Sequence, residues 1–150
     1  MKTVLFLCTG NYFRSRFAEH LFNHLAPIDG LAWQAESRGL APDPASRNVG
    51  PISVYTLRAL KERNLVIANH RDPLEVTVAD FERAKRIIAV KEAEHRPMAR
   101  ERFPAWEQRI EYWHCHDLDC AQADEALDAV ERCVRNLLAE LKRKQPSGRI

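Results

Sequence analysis

Apolar residues gather in four short runs along this chain and recur at helical spacing between them. Stretches 3–7, 31–35, 86–90 and 110–114 are apolar or β-branched, too short for helices, and read as strands. After the first, Phe17, Leu21 and Leu25, flanked by Ala18 and Phe22, form one stripe over 15–25, and Pro27 and Gly30 then break the chain. A second helix is predicted over 51–63, carrying Ile52, Leu57 and Leu60. Thr77-Val78-Ala79-Asp80 resembles a capping box ahead of a short helix. Stretch 92–102 predicts another helix, ended by Phe103-Pro104. Finally, Leu127, Val130, Val134, Leu137, Leu138 and Leu141 predict a long helix over 124–144 whose stripe serves core packing.

Strands that alternate with helices argue for an α/β fold with a parallel sheet covered on both faces. In such sheets ligands gather beyond the carboxyl ends of the strands. Cys8 follows the first strand and Asp117 follows the last, so both can reach that edge although they are far apart in sequence.

With 150 residues, 45% of them hydrophobic, the chain can bury a core of its own and is expected to form one domain over 1–150. Its net charge of +2 is scattered, which gives no footprint for nucleic acid. No apolar run reaches membrane-spanning length, and Met1-Lys2 leads into a short strand without a cleavage-type segment, so a cytoplasmic protein away from membranes is expected. The four cysteines, Cys8, Cys115, Cys120 and Cys133, are irregularly spaced and read as reduced thiols. His114-Cys115-His116 near Cys120 could suggest a metal site. Neighbouring strand residues point to opposite faces, however, and no second ligand pair follows, so neither metal nor other cofactor is expected.

The chemistry concentrates just after the first strand, in Cys8-Thr9-Gly10-Asn11-Tyr12-Phe13-Arg14-Ser15. Five residues between a Cys and an Arg can curl into a cradle whose backbone N–H groups face an oxyanion, while the Arg closes the ring with a planar fork. Gly10 and Asn11 tolerate the positive φ such a loop needs. Behind it, the positive end of a helix beginning near Ser15 favours a thiolate, the form that attacks phosphorus.

On these residues the chain resembles the low-molecular-weight protein tyrosine phosphatases, a family shared with thioredoxin-coupled arsenate reductases and bacterial protein-arginine phosphatases. Further likeness lies in Glu36-Ser37-Arg38-Gly39, in His70 ahead of Thr77-Val78-Ala79-Asp80-Phe81, and in Asp117 before the final helix. The resemblance implies a flavodoxin-like three-layer sandwich with about four central strands, and a phosphocysteine intermediate. It implies Cys8, Arg14 and Asp117 as catalytic residues, phosphate held by Thr9, Gly10, Asn11, Tyr12, Phe13, Arg14 and Ser15, and support from Ser37 and His70. Within that set, Ser15 would hydrogen-bond the Cys8 thiolate and Asn11 would fix the loop shape. The expected substrate is a phosphotyrosine protein or small aryl phosphate, and the expected state a monomer.

Several positions depart from the family pattern. Asp117-Leu118-Asp119 stands where relatives carry Asp-Pro, so Asp119 competes with Asp117 as general acid. Phe13 replaces a second loop cysteine found in many relatives, and Tyr12 replaces a smaller residue, which predicts a broader, more apolar rim. Asp119 and Cys120 stand where two aromatic residues are common, and Lys85 and Lys91 where Asp is common. Trp33, Trp106 and Trp113 read as packing aromatics. Arsenate reduction is disfavoured, because such enzymes have two further cysteines in the segment between Thr77 and Met98 and this chain has none there. Protein-arginine phosphatase activity, or phosphate binding without turnover, stays open.

Overall fold

The computed structural model describes residues 1–115 and 122–145. Its elements alternate as the patterning predicts: β1 (Lys2–Cys8), α1 (Arg14–Ile28), β2 (Trp33–Gly39), α2 (Val54–Glu62), α3 (Val78–Arg83), β3 (Arg86–Ala89), α4 (Glu92–Arg102), a 3₁₀ turn (Glu107–Arg109), β4 (Glu111–Tyr112) and α5 (Ala123–Lys144). The strands form one parallel sheet in the order β2-β1-β3-β4, which is the flavodoxin-like α/β arrangement.

β1 lies inside the sheet, and every residue after Lys2 is buried, which explains its unbroken apolar run. Alternate side chains serve opposite faces. Val4, Phe6 and Cys8 pack with α1 and α5, where Phe17, Phe22, Val130, Val134 and Leu138 meet them. Leu5 and Leu7 face the other layer, with Phe81 of α3 and Ala99 of α4. Cutting a side chain such as Leu138 back to Ala would cost about 2–5 kcal/mol, the transfer free energy plus a cavity.

Two elements differ from the sequence reading for identifiable reasons. β2 runs Trp33–Gly39, later than the expected 31–35. It is an edge strand whose register pairs Lys2 with Trp33 and Cys8 with Gly39, so the polar residues Glu36, Ser37 and Arg38 fit it and the apolar signal ends early. β4 is only Glu111–Tyr112, but main-chain bonds from Trp113 N–H to Ala89 O (2.8 Å) and Cys115 N–H to Val90 O (2.7 Å) carry the pairing onward. Pro27 sits within the last turn of α1, and the turn that follows it is completed by Gly30 at φ 71°. The capping box is present: Thr77 accepts from the Asp80 amide while the Asp80 carboxylate accepts from the Thr77 amide.

Strand order reverses between β1 and β3, since β1 connects onward to β2 on one side and the chain then crosses to β3 on the other. A crevice opens at such a switch point, beyond the strand ends. The segment leaving Cys8 lies there. Among the described residues, no helix is long and apolar enough to cross a membrane.

Candidate active site

The segment from Cys8 to Arg14 turns back on itself between β1 and α1, and its shape follows from where its carbonyls go. Cys8 O accepts from Leu40 N–H (2.9 Å), Thr9 O from Ala41 N–H (3.0 Å) and Tyr12 O from Ser53 N–H (3.0 Å). Asn11 O accepts from the Arg16 guanidinium (3.1 Å), and Phe13 O from the Thr56 hydroxyl (2.9 Å) and Phe17 N–H (3.1 Å). Across a trans peptide the carbonyl and the following N–H point opposite ways. Carbonyls held outward therefore turn the amides of Thr9, Gly10, Tyr12, Phe13 and Arg14 toward the inside of the loop, as an anion cradle requires. Gly39 is needed for this close approach, because a Cβ there would lie 2.8 Å from Thr9 O and 3.1 Å from Asn11 N.

Asn11 is fully buried, at φ 52°, and its side chain faces away from the cradle into a bracing network. Its Nδ2 donates to Ser15 Oγ and to Ser37 Oγ, both at 2.9 Å. Its Oδ1 accepts from Arg71 Nη1 (2.9 Å) and from Leu74 N–H (3.1 Å). Arg71 also reaches Ser37 and Glu19. Ser37 is thus brought to Asn11 as expected, but His70 is not. It lies on the surface with Nε2 3.1 Å from Ile67 O, and the neighbouring Arg71 takes the bracing place. A guanidinium spans the gap to Asn11, Ser37 and Glu19 together, which one imidazole could not do.

Arg16 lies beneath the loop with no exposed surface and donates to the carbonyls of Asn11, Pro51 and Arg71. Burial, aided by the charge of Arg71, lowers its pKa to about 10, so it stays a cation at neutral pH. Ser15 Oγ lies 2.9 Å from Cys8 Sγ. Because Ser15 already accepts from Asn11, its own proton is available for the sulfur.

On the other side, buried Arg14 is oriented by Cys115 O (3.1 Å) and by Glu94 Oε2 (2.8 Å). Glu94 stands on the first turn of α4 and also accepts from the Thr9 hydroxyl. Burial pushes its carboxyl up, but hydrogen bonds from His95, Arg14 and Thr9, with the charge of Arg14, outweigh it and hold the group well below the usual range. The Lys91 amide donates to His95 Nδ1 (3.1 Å), which leaves Nε2 to carry the proton; this nitrogen lies 3.1 Å from Thr9 Oγ1 and 3.2 Å from Glu94. Lys91, where relatives often carry Asp, occupies the N-cap of α4, and the carboxylate on Arg14 comes from three residues later. The sequence reading missed Glu94, His95, Arg71 and Arg16. For the first two a signal existed, a charged pair just past the carboxyl end of β3.

Cys8, Thr9, Gly10, Tyr12, Phe13 and Arg14 line a single cleft of about 510 Å³. Its far wall comes from the segment before α2 and from α2 itself, with Arg47, Val49, Val54 and Tyr55. Tyr12 fixes part of that wall by donating from its hydroxyl to Val49 O (2.5 Å), and Tyr55 meets Phe13 edge-on at 6.5 Å. None of the three tryptophans lines this cleft. Trp106 stacks on Phe81 at 5.0 Å, Trp113 packs against Phe6 at 5.6 Å, and Trp33 lies under Lys2. Asp117, Asp119 and Cys120 lie outside the described residues.

A guanidinium, a sulfur and inward amides sharing one cradle can hold a tetrahedral oxyanion against a nucleophile. Known proteins resemble this chain. A protein-arginine-phosphatase of Bacillus subtilis (strain 168) is 27% identical over 107 residues, covering 71% of this chain and 67% of that protein. The crystal structure of YfkJ from Bacillus subtilis superposes with a TM-score of 0.80 at 25% identity, covering 97% and 98% of the two chains. A low molecular weight protein tyrosine phosphatase from Streptococcus pyogenes shares the fold, with a TM-score of 0.78, 22% identity and coverage of 98% and 95%. The model of the low molecular weight phosphotyrosine protein phosphatase family matches residues 3–147, so the chain belongs to that family of cysteine-dependent phosphatases.

Proposed function

We propose that the chain hydrolyses phosphotyrosine in proteins, or a similar aryl phosphate, with Cys8 as nucleophile. The observation that carries this is the Cys8 sulfur, 2.9 Å from a Ser15 hydroxyl that can donate to it, at the end of a cleft also lined by Arg14, Tyr12 and Tyr55. The Cys8 thiolate attacks phosphorus and the ester oxygen departs, taking a proton from Asp117. Water, deprotonated by Asp117, then attacks the phosphocysteine, releasing phosphate and restoring the thiolate. Arg14 and the inward amides stabilise the equatorial oxygens as charge develops on them. No step calls for a metal. The proposed compartment is the cytoplasm, where a free nucleophilic thiol is kept reduced.

A second reading is supported by the protein-arginine-phosphatase relative: the same cradle would take phosphorus from a guanidinium nitrogen. Tyr12, Val54 and Tyr55 offer faces to a ring, while Asp43 and Arg47 line the same cleft and could meet a charged chain. Turnover of matched phosphotyrosine and phosphoarginine peptides separates the two, with the tyrosine peptide expected to be preferred by kcat/KM. Preference for the arginine peptide would reverse the assignment. For the acid, Asp117→Asn should lower kcat on a poor leaving group by about 10²- to 10⁴-fold, with Asp119→Asn far milder. The opposite order would move the role to Asp119.

A further inference from the structure

Fully buried Arg16 carries a positive charge that no carboxylate balances. Among the described residues no Asp or Glu lies within ion-pair distance of it, and Glu19, one turn along α1, is engaged by Arg71 (3.1 Å) and by the Ser37 hydroxyl. The terminal nitrogens of Arg16 donate to carbonyls instead: Nη1 to Asn11 O and Pro51 O, both at 3.1 Å, and Nη2 to Arg71 O at 2.7 Å. Its Nε, also buried, has no hydrogen-bond partner. Carbonyl dipoles offset part of the cost of burying a cation, and an opposite charge offsets far more.

The place of this charge shows what can balance it. Asn11 O accepts from Arg16 on the underside of the cradle, and across a trans peptide the following N–H, that of Tyr12, points the opposite way. Among the described residues nothing accepts from Tyr12 N–H, and Tyr12 lines the cleft together with Cys8 and Arg14. A hydrogen bond on the carbonyl end of a peptide polarises it and strengthens its N–H as a donor.

We infer that Arg16 is a positioning residue for the phosphoryl group: its guanidinium acts from beneath, through the Asn11–Tyr12 peptide, so that Tyr12 N–H is aimed at a phosphate oxygen and the bound dianion is the counter-charge Arg16 otherwise lacks.

Arg14 and Arg16 then serve the same anion from two sides. Arg14 lines the cleft, whereas the fork of Arg16 is spent on carbonyls from three separate segments. One belongs to the cradle, one to the stretch leading into α2, and one to the stretch whose Arg71 side chain holds Asn11 Oδ1 at 2.9 Å. The charge is thus fixed in place before any ligand arrives, the condition under which a dipole or cation contributes most to holding an anion. This rests on the proposed use of the cradle as an oxyanion site, but not on which phosphate ester is cleaved.

Phosphate binding without turnover tests it. Full-length Cys8→Ser, isotope-labelled for amide NMR, is titrated with inorganic phosphate, alone and combined with Arg16→Lys or Arg16→Gln. Both replacements remove the fork, and only Lys keeps the charge. In Cys8→Ser, phosphate should move the Tyr12 amide proton downfield. With Arg16→Gln added, Kd should rise about tenfold, the weight of one charge acting at short range in a partly polar medium. Most of the Tyr12 displacement should vanish while those of Thr9 and Gly10 remain, because Leu40 and Ala41 hold their peptides through Cys8 O and Thr9 O. Arg16→Lys should recover most of the affinity. Equal weakening by Lys and Gln would overturn the inference. So would a uniform loss of displacement at Thr9, Gly10 and Tyr12, the mark of a collapsed loop rather than of a charge missing beneath one peptide. If Arg16→Gln does not fold, Arg16→Lys decides alone: an affinity close to that of Cys8→Ser supports the inference, and a loss as large as that expected for Gln refutes it. Failure of Cys8→Ser itself to bind phosphate would overturn the oxyanion role of the cradle and this inference together, whereas the other adverse outcomes strike this inference alone.

Discussion

The floor of the cleft and its rim are built on different principles. The floor is held from every direction. Asn11 uses both ends of its amide, Arg14 is oriented by a carbonyl and a carboxylate, and five loop carbonyls are tied to donors outside the cradle. The rim is lightly attached. Val49 is 80% exposed, Val54 50% and Tyr55 44%, and the Tyr12–Val49 hydrogen bond ties that wall back to the loop. Floor residues fix geometry around phosphorus, where misplacement by about 1 Å can cost 10²-fold in rate. Rim residues meet the part of the substrate that varies. In the proposed reaction, the chemistry would rest on overdetermined positions and the choice of substrate on loosely constrained ones.

The largest effect should come from the floor. Cys8→Ser is expected to remove turnover of para-nitrophenyl phosphate while phosphate or vanadate still binds, because the sulfur goes and the oxyanion site stays. Activity retained in Cys8→Ser, or wild-type activity lost on adding EDTA, would refute the proposed mechanism.

Glu94→Gln asks whether the floor depends on its outer supports. It keeps the shape but removes the charge on Arg14, and kcat should fall about 10- to 100-fold. Since the Glu94 carboxyl is held below its ordinary value, the ion pair is complete above the unfolded-state pKa and is lost only as pH falls through the depressed folded-state value. Lowering the pH to about 5, still above the ordinary Glu value, should therefore not reproduce the variant in phosphate-binding titrations. A matching loss of affinity in the wild type at that pH would contradict this account of Glu94.

At the rim, Tyr55→Ala should raise KM for an aryl phosphate by about 3- to 10-fold, as loss of one aromatic contact allows, with kcat little changed. A fall in kcat comparable to that of Glu94→Gln would erase the distinction between floor and rim. The smallest effect belongs to neither region. Thr77→Ala removes the N-cap of α3 and should cost about 1 kcal/mol in denaturant unfolding with unchanged kcat.

Much of the fold was legible because the signals are local. β1 and α5 follow from continuous or periodic burial, and the capping box from two residues three apart. The placing of Cys8 and Arg14 in one cleft was legible too, since one short segment carries both. What escaped was supplied from a distance. Ser37 was anticipated through family resemblance, yet Arg71 took the place given to His70, because which of two adjacent side chains reaches Asn11 depends on the path of a loop 60 residues away in sequence. Glu94 and His95 meet Thr9 and Arg14 only because β3 lies beside β1 in the sheet. Sequence determined the elements and the cradle, since hydrophobic period and a five-residue gap act over one element or one turn. Tertiary structure alone decided which charged side chains meet that cradle, because hydrogen bonds reach only about 3 Å and strand order decides who comes that close.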